Sequence, residues 1–589
     1  MFRRILLFST LFIVVPHTSV AAQQSRASAP TPAQQSAVVR QSAMNILEGV
    51  LASTGSLSLP QNRLVIELQA FPIVWSRSDS RARALINQMA GEFAQASSAN
   101  QSDDENPEVA LTTRREQRVA MARTIAASDP EMALMFLAAT LPYIQSSSRD
   151  DDPEDHELVI DLAAQVALHN PGRALQLAEQ QLKEADDLPP SFIDLLEQVE
   201  RNNSQAGAQL FRDAVDHIKQ QNPADDASVL SFAASLLASQ FSRQSENGGT
   251  PDSTLRALAE IIATSGLSSK YLQDQPYVVS NALSDCWSAL DSLLPAKSTA
   301  LRQNFSPDAA TNVPVQDFWQ DFNQARSSGD TSKLLAAIAQ APEERRDNML
   351  QQAARGFAND GDLQRTRELA QALEPWQRNN ILQQAIRSAS EAAGHRGDFA
   401  SARQLATQVT DENSRATLLS ALALSAIATG KPRLAEEMLG EATSLVMNHT
   451  AGMSAFAAQL VVAEAYLRVN PAQAVPLLER SARQIEQALS AAAQLDGFLP
   501  DSHSFEGGEL ILNQGFLYQS LLRPYADATA DLATLDLAAA RTLADRISLP
   551  EARLLTELSV ARGVLREKDQ IQTTRNIGLP ERHRWLDEK

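Results

Sequence analysis

A chain of 589 residues exceeds the ~250-residue limit of one compact core, so it must form several domains or an elongated array. Its 44% hydrophobic content is enough for a folded interior, and the low aromatic share of 5%, with Ala and Leu dominant, favours helix. The net charge of −20, with Lys and Arg scattered singly, argues against nucleic acid and anionic lipid as partners and suits basic or polar ones.

The amino terminus reads as an address. Arg3 and Arg4 precede an apolar run from Ile5 to Val15, and Ser19-Val20-Ala21 or Val20-Ala21-Ala22 supplies small residues for cleavage. The run is shorter than the ~20 residues of a membrane span, so residues 1–22 are expected to be a cleaved signal peptide. The mature chain is then periplasmic or secreted, with no membrane insertion. Residues 23–40 are rich in Gln, Ser, Ala and Pro and are expected to be a disordered linker.

From Gln41 onward apolar residues recur at three- and four-residue spacing. Polar loops are expected near Ser97, from Gln145, near Gly248 and from Leu499, and a boundary near Gln303 to Asp317 divides helical regions 41–305 and 315–589. Asp129-Pro130, Asn170-Pro171 and Asn470-Pro471 each read as a cap followed by a proline at a first helical position, where no intrahelical amide is lost.

The second half repeats itself. GDLQRTRELA begins at Gly361 and GDFASARQLA at Gly397; with Gly329-Asp330 and Gly430-Lys431 the steps are thirty-two, thirty-six and thirty-three residues. A further copy from Leu535 keeps Asp536 but not the glycine. Glycine can end one helix in the left-handed conformation, and Asp can accept hydrogen bonds from the free amides of the next. Behind each corner Leu363, Thr366, Leu369 and Ala370, or Phe399, Ala402, Leu405 and Ala406, or Leu537, Ala540, Leu543 and Ala544, fall on one helical face. The preceding helices match too, placing Arg346, Arg378 and Arg415 three residues before an aliphatic pair.

The Gly-Asp corner, with Ala402, Ala435 or Ala540 followed by a large apolar residue, resembles the turn and second helix of a tetratricopeptide repeat, clearly over about Leu334 to Val475. That family's Trp, Leu-Gly and Tyr pattern is missing from the first helices. The resemblance implies an all-α superhelix, a solenoid of stacked antiparallel helical hairpins whose concave face binds peptides or proteins. Hairpins of ~34 residues cannot offset their chain entropy alone and must stack.

Chemistry is sparse. There is no HExxH, paired CxxC, GxSxG or GxxxxGK[ST], and no two histidines stand at i, i+3 or i+4. No catalytic, cofactor-binding or metal-ligating residue is therefore assigned, no cofactor is expected, and the binding residues are open. The run Asp150-Asp151-Asp152-Pro153-Glu154-Asp155 offers oxygen ligands to calcium but lacks the EF-hand glycine, so it reads as a solvated loop, as does Asp103-Asp104-Glu105. Cys286, the single cysteine, excludes an intrachain disulfide and reads as a small buried hydrophobe. Arg367, Arg403 and Arg541 suit either a groove for acidic peptides or, preferably, ion pairs between neighbouring hairpins. Trp376 and Trp75 suit either a partner anchor or, preferably, a staple against the next repeat.

The expected function is a helical scaffold for protein–protein or protein–peptide binding, not an enzyme. The alternative is an envelope enzyme or glycan-binding helical toroid. The Ala-rich superhelix resembles that of soluble lytic transglycosylases, but the catalytic Glu-Ser domain of that family has no counterpart here. A groove of Arg, Asn and Gln would favour peptide; clustered Trp, Tyr and carboxylates would favour glycan.

Overall fold

The computed structural model describes residues 32–565, with interruptions at 100–106, 145–152, 185–187, 247–252, 269–278, 280, 306–316, 342, 449–451, 497, 499–503 and 513–514. The signal-peptide segment, Asp103–Glu105 and Asp150–Asp152 lie outside the described residues.

The protein is an all-α solenoid. In the N-terminal half, α2 (Pro60–Trp75) packs with α3 (Asp79–Ala99), α4 (Pro107–Ala126) with α5 (Pro130–Thr140), and α6 (Pro153–Ala167) with α7 (Pro171–Glu184). The series continues with α8 (Ser191–Asn202) on α9 (Ser204–Gln221), α10 (Ala227–Glu246) on α11 (Ser253–Ser268), and α12 (Trp287–Leu293) on α13 (Pro295–Phe305). In the C-terminal half α14 (Asp317–Ser328) pairs with α15 (Thr331–Gln340), α16 (Glu343–Asn359) with α17 (Leu363–Ala370), and α18 (Pro375–His395) with α19 (Phe399–Ala406). Then come α20 (Glu412–Ala428) with α21 (Pro432–Asn448), α22 (Met453–Val469) with α23 (Pro471–Leu495), and α24 (Arg523–Ala533) with α25 (Leu537–Ala544).

Two helices are left over, α1 (Pro32–Thr54) and α26 (Pro550–Leu565), and they pack on each other. Among the described residues the last helix thus takes the first as its hairpin partner. Ala43, Leu47, Val50, Ile66, Ala70 and Ile73 share one core with Leu554, Leu555, Leu558 and Ala561, and that core runs back to Ile386. α26 also packs on α24 before it and α2 after it, so the stack runs without a break from α14 through α26 and α1 to α13. α1 begins at Pro32, inside the stretch expected to be linker; a proline at the first helical position costs no hydrogen bond, and the Ala-containing turn behind it propagates.

This order fixes the curvature. Stacked helices lie 8–10 Å apart, so thirteen hairpins extend along an arc of roughly 100 Å or more. Its two ends, Phe305 and Asp317, are joined by residues 306–316, which reach at most about 43 Å when fully extended. The stack therefore curves back on itself.

The corners are built as the repeat implies. Gly329, Gly361, Gly397 and Gly430 have φ of 67, 71, 80 and 75°. Left-handed backbone there lets the amides of Asp362, Asp398 and Lys431 reach the carbonyls of Phe357, Ala393 and Ala426, five residues back, and close the helix end. Leu535 does not adopt positive φ, and the Asp536 amide instead bonds Leu532, four residues back. Asp330, Asp362, Asp398 and Asp536 all accept backbone amides of the following helix. Asp129 and Asn170 cap in the same way, whereas Asn470 makes no side-chain cap bond.

The recurrent arginine has a mechanical role as well. Arg346 Nε donates to the Ala341 carbonyl at 2.8 Å, and Arg378 donates to Ala370, Gln371 and Leu373 at 2.9–3.0 Å. Each guanidinium donates to carbonyls where the preceding helix ends.

One irregular piece interrupts the helices. β1 (Phe505–Glu506) and β2 (Glu509–Leu510) form an antiparallel hairpin, registered Phe505 to Leu510, with Gly507 and Gly508 at φ 57 and 84°. A two-residue turn with both φ positive suits the twist of paired strands. It lies in the stretch from Leu499 expected to be loop.

Candidate functional site

The polar groove between α14 and α16 is assembled from helical periodicity. Along α16, Met349, Leu350, Ala353, Ala354, Phe357 and Ala358 turn into a core with Phe322 and Ala325 of α14. The opposite positions, Asn348, Gln351, Gln352, Arg355 and Asn359, follow the three- and four-residue spacing of one face and line an open groove of about 310 Å³.

Arg326, in the last turn of α14, completes it. Its guanidinium lies across Gly356, with Nη2 3.1 Å from where a side-chain carbon on that glycine would stand. A side chain at that position would make the guanidinium give way by a few tenths of an ångström. On the other side of Arg326 a second recess, about 220 Å³, is lined by Asn323, Ser327, Ala353, Phe357 and Asp360.

The electrostatics of the larger groove run against the molecule as a whole. In a chain of net charge −20, its lining carries two guanidinium groups and no carboxylate. Neighbouring Arg365 differs: its Nη1 donates to Asp362 at 2.8 Å, and its guanidinium lies 5.6 Å from the centre of the Phe357 ring. The amide row continues onto α18, where Gln384 Nε2 donates to Asn359 Oδ1 at 2.5 Å. Gln383 meanwhile accepts the Thr410 amide at 2.9 Å. Such a lining holds main-chain carbonyls and carboxylates. It contains no nucleophile paired with a base, and no histidine.

The residues singled out from the sequence fall elsewhere. Arg403 spans to the next hairpin, reaching Glu441 at 3.2 Å and Glu437 at 3.7 Å, the inter-repeat ion pair expected of it. Arg367 and Arg541 are exposed. Trp376 is 69% exposed in the first turn of α18, so the staple reading is corrected: at that position the ring points away from the preceding hairpin. Trp75 ends α2 and stacks on Phe71, ring centres 6.5 Å apart. Cys286 is fully buried, and burial pushes its thiol up to about 12.

Other perturbed groups are spread out. Glu67 is buried between α2 and α3; desolvation, then the Glu92 carboxylate, push it up to about 7, against the Gln88 amide and the Arg63 charge. Burial also raises Glu391 on α18, opposed by Arg387 and His395, and Glu557 on α26. Among the described residues no three His, Cys, Asp or Glu stand together to hold a metal ion, and no helix is long and apolar enough to cross a membrane.

Neither Arg326 nor Arg355 was singled out from the sequence. The signal available was the spacing Asn348, Gln351, Gln352, Arg355 and Asn359; what it lacked was the facing helix.

No protein-family model matches the chain, and no curated protein matches it. A solved structure described as a circular tandem repeat protein with novel repeat topology and enhanced subunit contact surfaces aligns over 91% of this chain and 100% of its own, at 15% identity and a TM-score of 0.15. At that score the likeness carries no argument, and the solenoid stands on the helix pairing itself.

Proposed function

We propose that this chain is a periplasmic or secreted, tetratricopeptide-like scaffold that binds a protein or peptide partner through the α14–α16 groove and has no catalytic activity of its own. The groove carries the reading: two guanidinium groups, with no ion pair among the described residues, stand in a row of amides over two helices that share one core. Amide and guanidinium donors suit the carbonyls and acidic side chains of an extended segment, and arginine is enriched among residues that dominate binding energy.

Affinity capture from the cognate envelope extract, followed by titration of the captured partner, tests this. The Arg326→Ala, Arg355→Ala double variant is expected to lose about 10–100-fold in affinity at unchanged helicity, two charge-assisted contacts having gone. Unchanged affinity would remove the groove from the reading. Reproducible capture of nothing, together with hydrolysis of cell-wall material, would end the scaffold proposal.

A further inference from the structure

The seam between the chain's two ends is held by polar contacts as specific as its core is apolar. Asn62, fully buried near the start of α2, donates through Nδ2 to the Leu510 carbonyl at 2.8 Å and accepts the Leu512 amide through Oδ1 at 2.9 Å. Its amide thereby pairs with residues two apart on one strand edge, as a further strand would. Glu551 of α26 accepts the Leu510 amide at 2.7 Å.

The start of α2 is capped from the same hairpin. Leu59, its own cap residue, offers no side-chain bond. Instead Glu509 accepts the Ser58 amide, and the Leu59 amide at 3.1 Å, placing a carboxylate at the positive end of the helix. Farther along, Arg77 donates to the Leu565 carbonyl at the end of α26 at 3.0 Å, and Gln69 donates to the Tyr518 hydroxyl at 3.1 Å. Every one of these bonds except that from Glu551 joins residues some 450 or more apart, so none forms until both ends of the chain exist.

We propose that α26 and the β1–β2 hairpin are a docking surface whose partner is the chain's own helices α1 and α2, closing the curved stack by a binding reaction rather than by chain connectivity. Leu47, Val50, Ile66, Ala70 and Ile73 supply the affinity through the shared core. Asn62 and Glu509 supply the register: a slip of one helical turn leaves the Leu510 carbonyl, the Leu512 amide and the Ser58 and Leu59 amides before α2 without partners. Among the described residues α1 comes first and α26 last, so closure waits until α26 has been synthesised.

The test keeps the full chain. A protease site is placed within 306–316, the folded protein is cut there, and association of the two halves is followed by size and by dilution. The cut wild type is expected to remain one particle at micromolar concentration. Asn62→Ala is expected to raise the concentration at which the halves separate by about 10–100-fold, because buried backbone groups lose their partners. Glu509→Gln, which keeps the shape but removes the charge and one of the two acceptor oxygens, is expected to raise it about 3–10-fold. Both uncut variants are expected to retain wild-type helicity; if Asn62→Ala loses it, Glu509→Gln decides. Separation of the cut wild-type halves at micromolar concentration, or dissociation of the variants at the wild-type concentration, overturns the proposal.

Discussion

Replacing Glu67 with glutamine is expected to change the pH dependence of stability in a direction the structure dictates. Glu67 is fully buried; its Oε1 accepts Gln88 Nε2 at 2.6 Å, while Oε2 has no hydrogen-bond partner. Arg63, the nearest cation, is engaged with Glu92, its Nε 2.7 Å from that carboxylate. The folded-state value of about 7 exceeds the 4.5 of an unperturbed glutamate, so between these pH values the native state holds a proton that the unfolded chain has released. Stability therefore falls as pH rises from about 4.5 to about 7, and above that the full cost, about 3 kcal/mol, is in force. Glutamine keeps the acceptor for Gln88 but never ionises. The difference in unfolding free energy between Glu67→Gln and wild type should shift by about 3 kcal/mol in favour of the variant between pH 4.5 and pH 8, read from urea transitions followed by helicity. Comparing the two chains at each pH cancels every other titrating group. A difference that is the same at both pH values would show that the Glu67 carboxylate is not held near neutrality by its burial.

Two further predictions concern packing. A side-chain carbon at Gly563 would stand 2.1 Å from the Ala530 carbonyl oxygen, so Gly563→Ala must force α24 and α26 apart, and is expected to destabilise by about 1–3 kcal/mol; hydrogen exchange should rise first over 523–533 and 550–565, and unchanged exchange there would refute the close approach. The Cys286 thiol, buried and held near 12, should resist a thiol-specific reagent at pH 8 in the folded protein and react fully in denaturant, while fast labelling of the native chain would contradict its burial.

The local mechanics were legible because they act over a few residues. A left-handed Gly361, a capping Asp362 and the buried face of Thr366, Leu369 and Ala370 need only backbone geometry and the 3.6-residue period, both written into ten consecutive letters. Arg378 shows where that reach ends: its recurrence was visible, but its bonds to the end of the preceding helix were not, since a guanidinium serves carbonyls and carboxylates alike. The groove was half legible. The polar face of α16 follows from spacing, but Arg326 enters it over Gly356 across a helix contact that no periodicity specifies.

By itself, then, the sequence determined that this chain is a run of helical hairpins, where the Gly-Asp corners and the cap-proline helix starts fall, and which faces behind those corners are buried. Only the tertiary structure decided that the first helix completes the last hairpin, that Glu509 caps a helix some 450 residues away, and that the stack curves back on itself. The physical reason is that an apolar stripe records the need for a partner without recording which one. Nearly every helix finds its hairpin partner next door in sequence, but α1 and α26 pair across the length of the described chain, beside a distant amide and carboxylate that fit particular backbone groups.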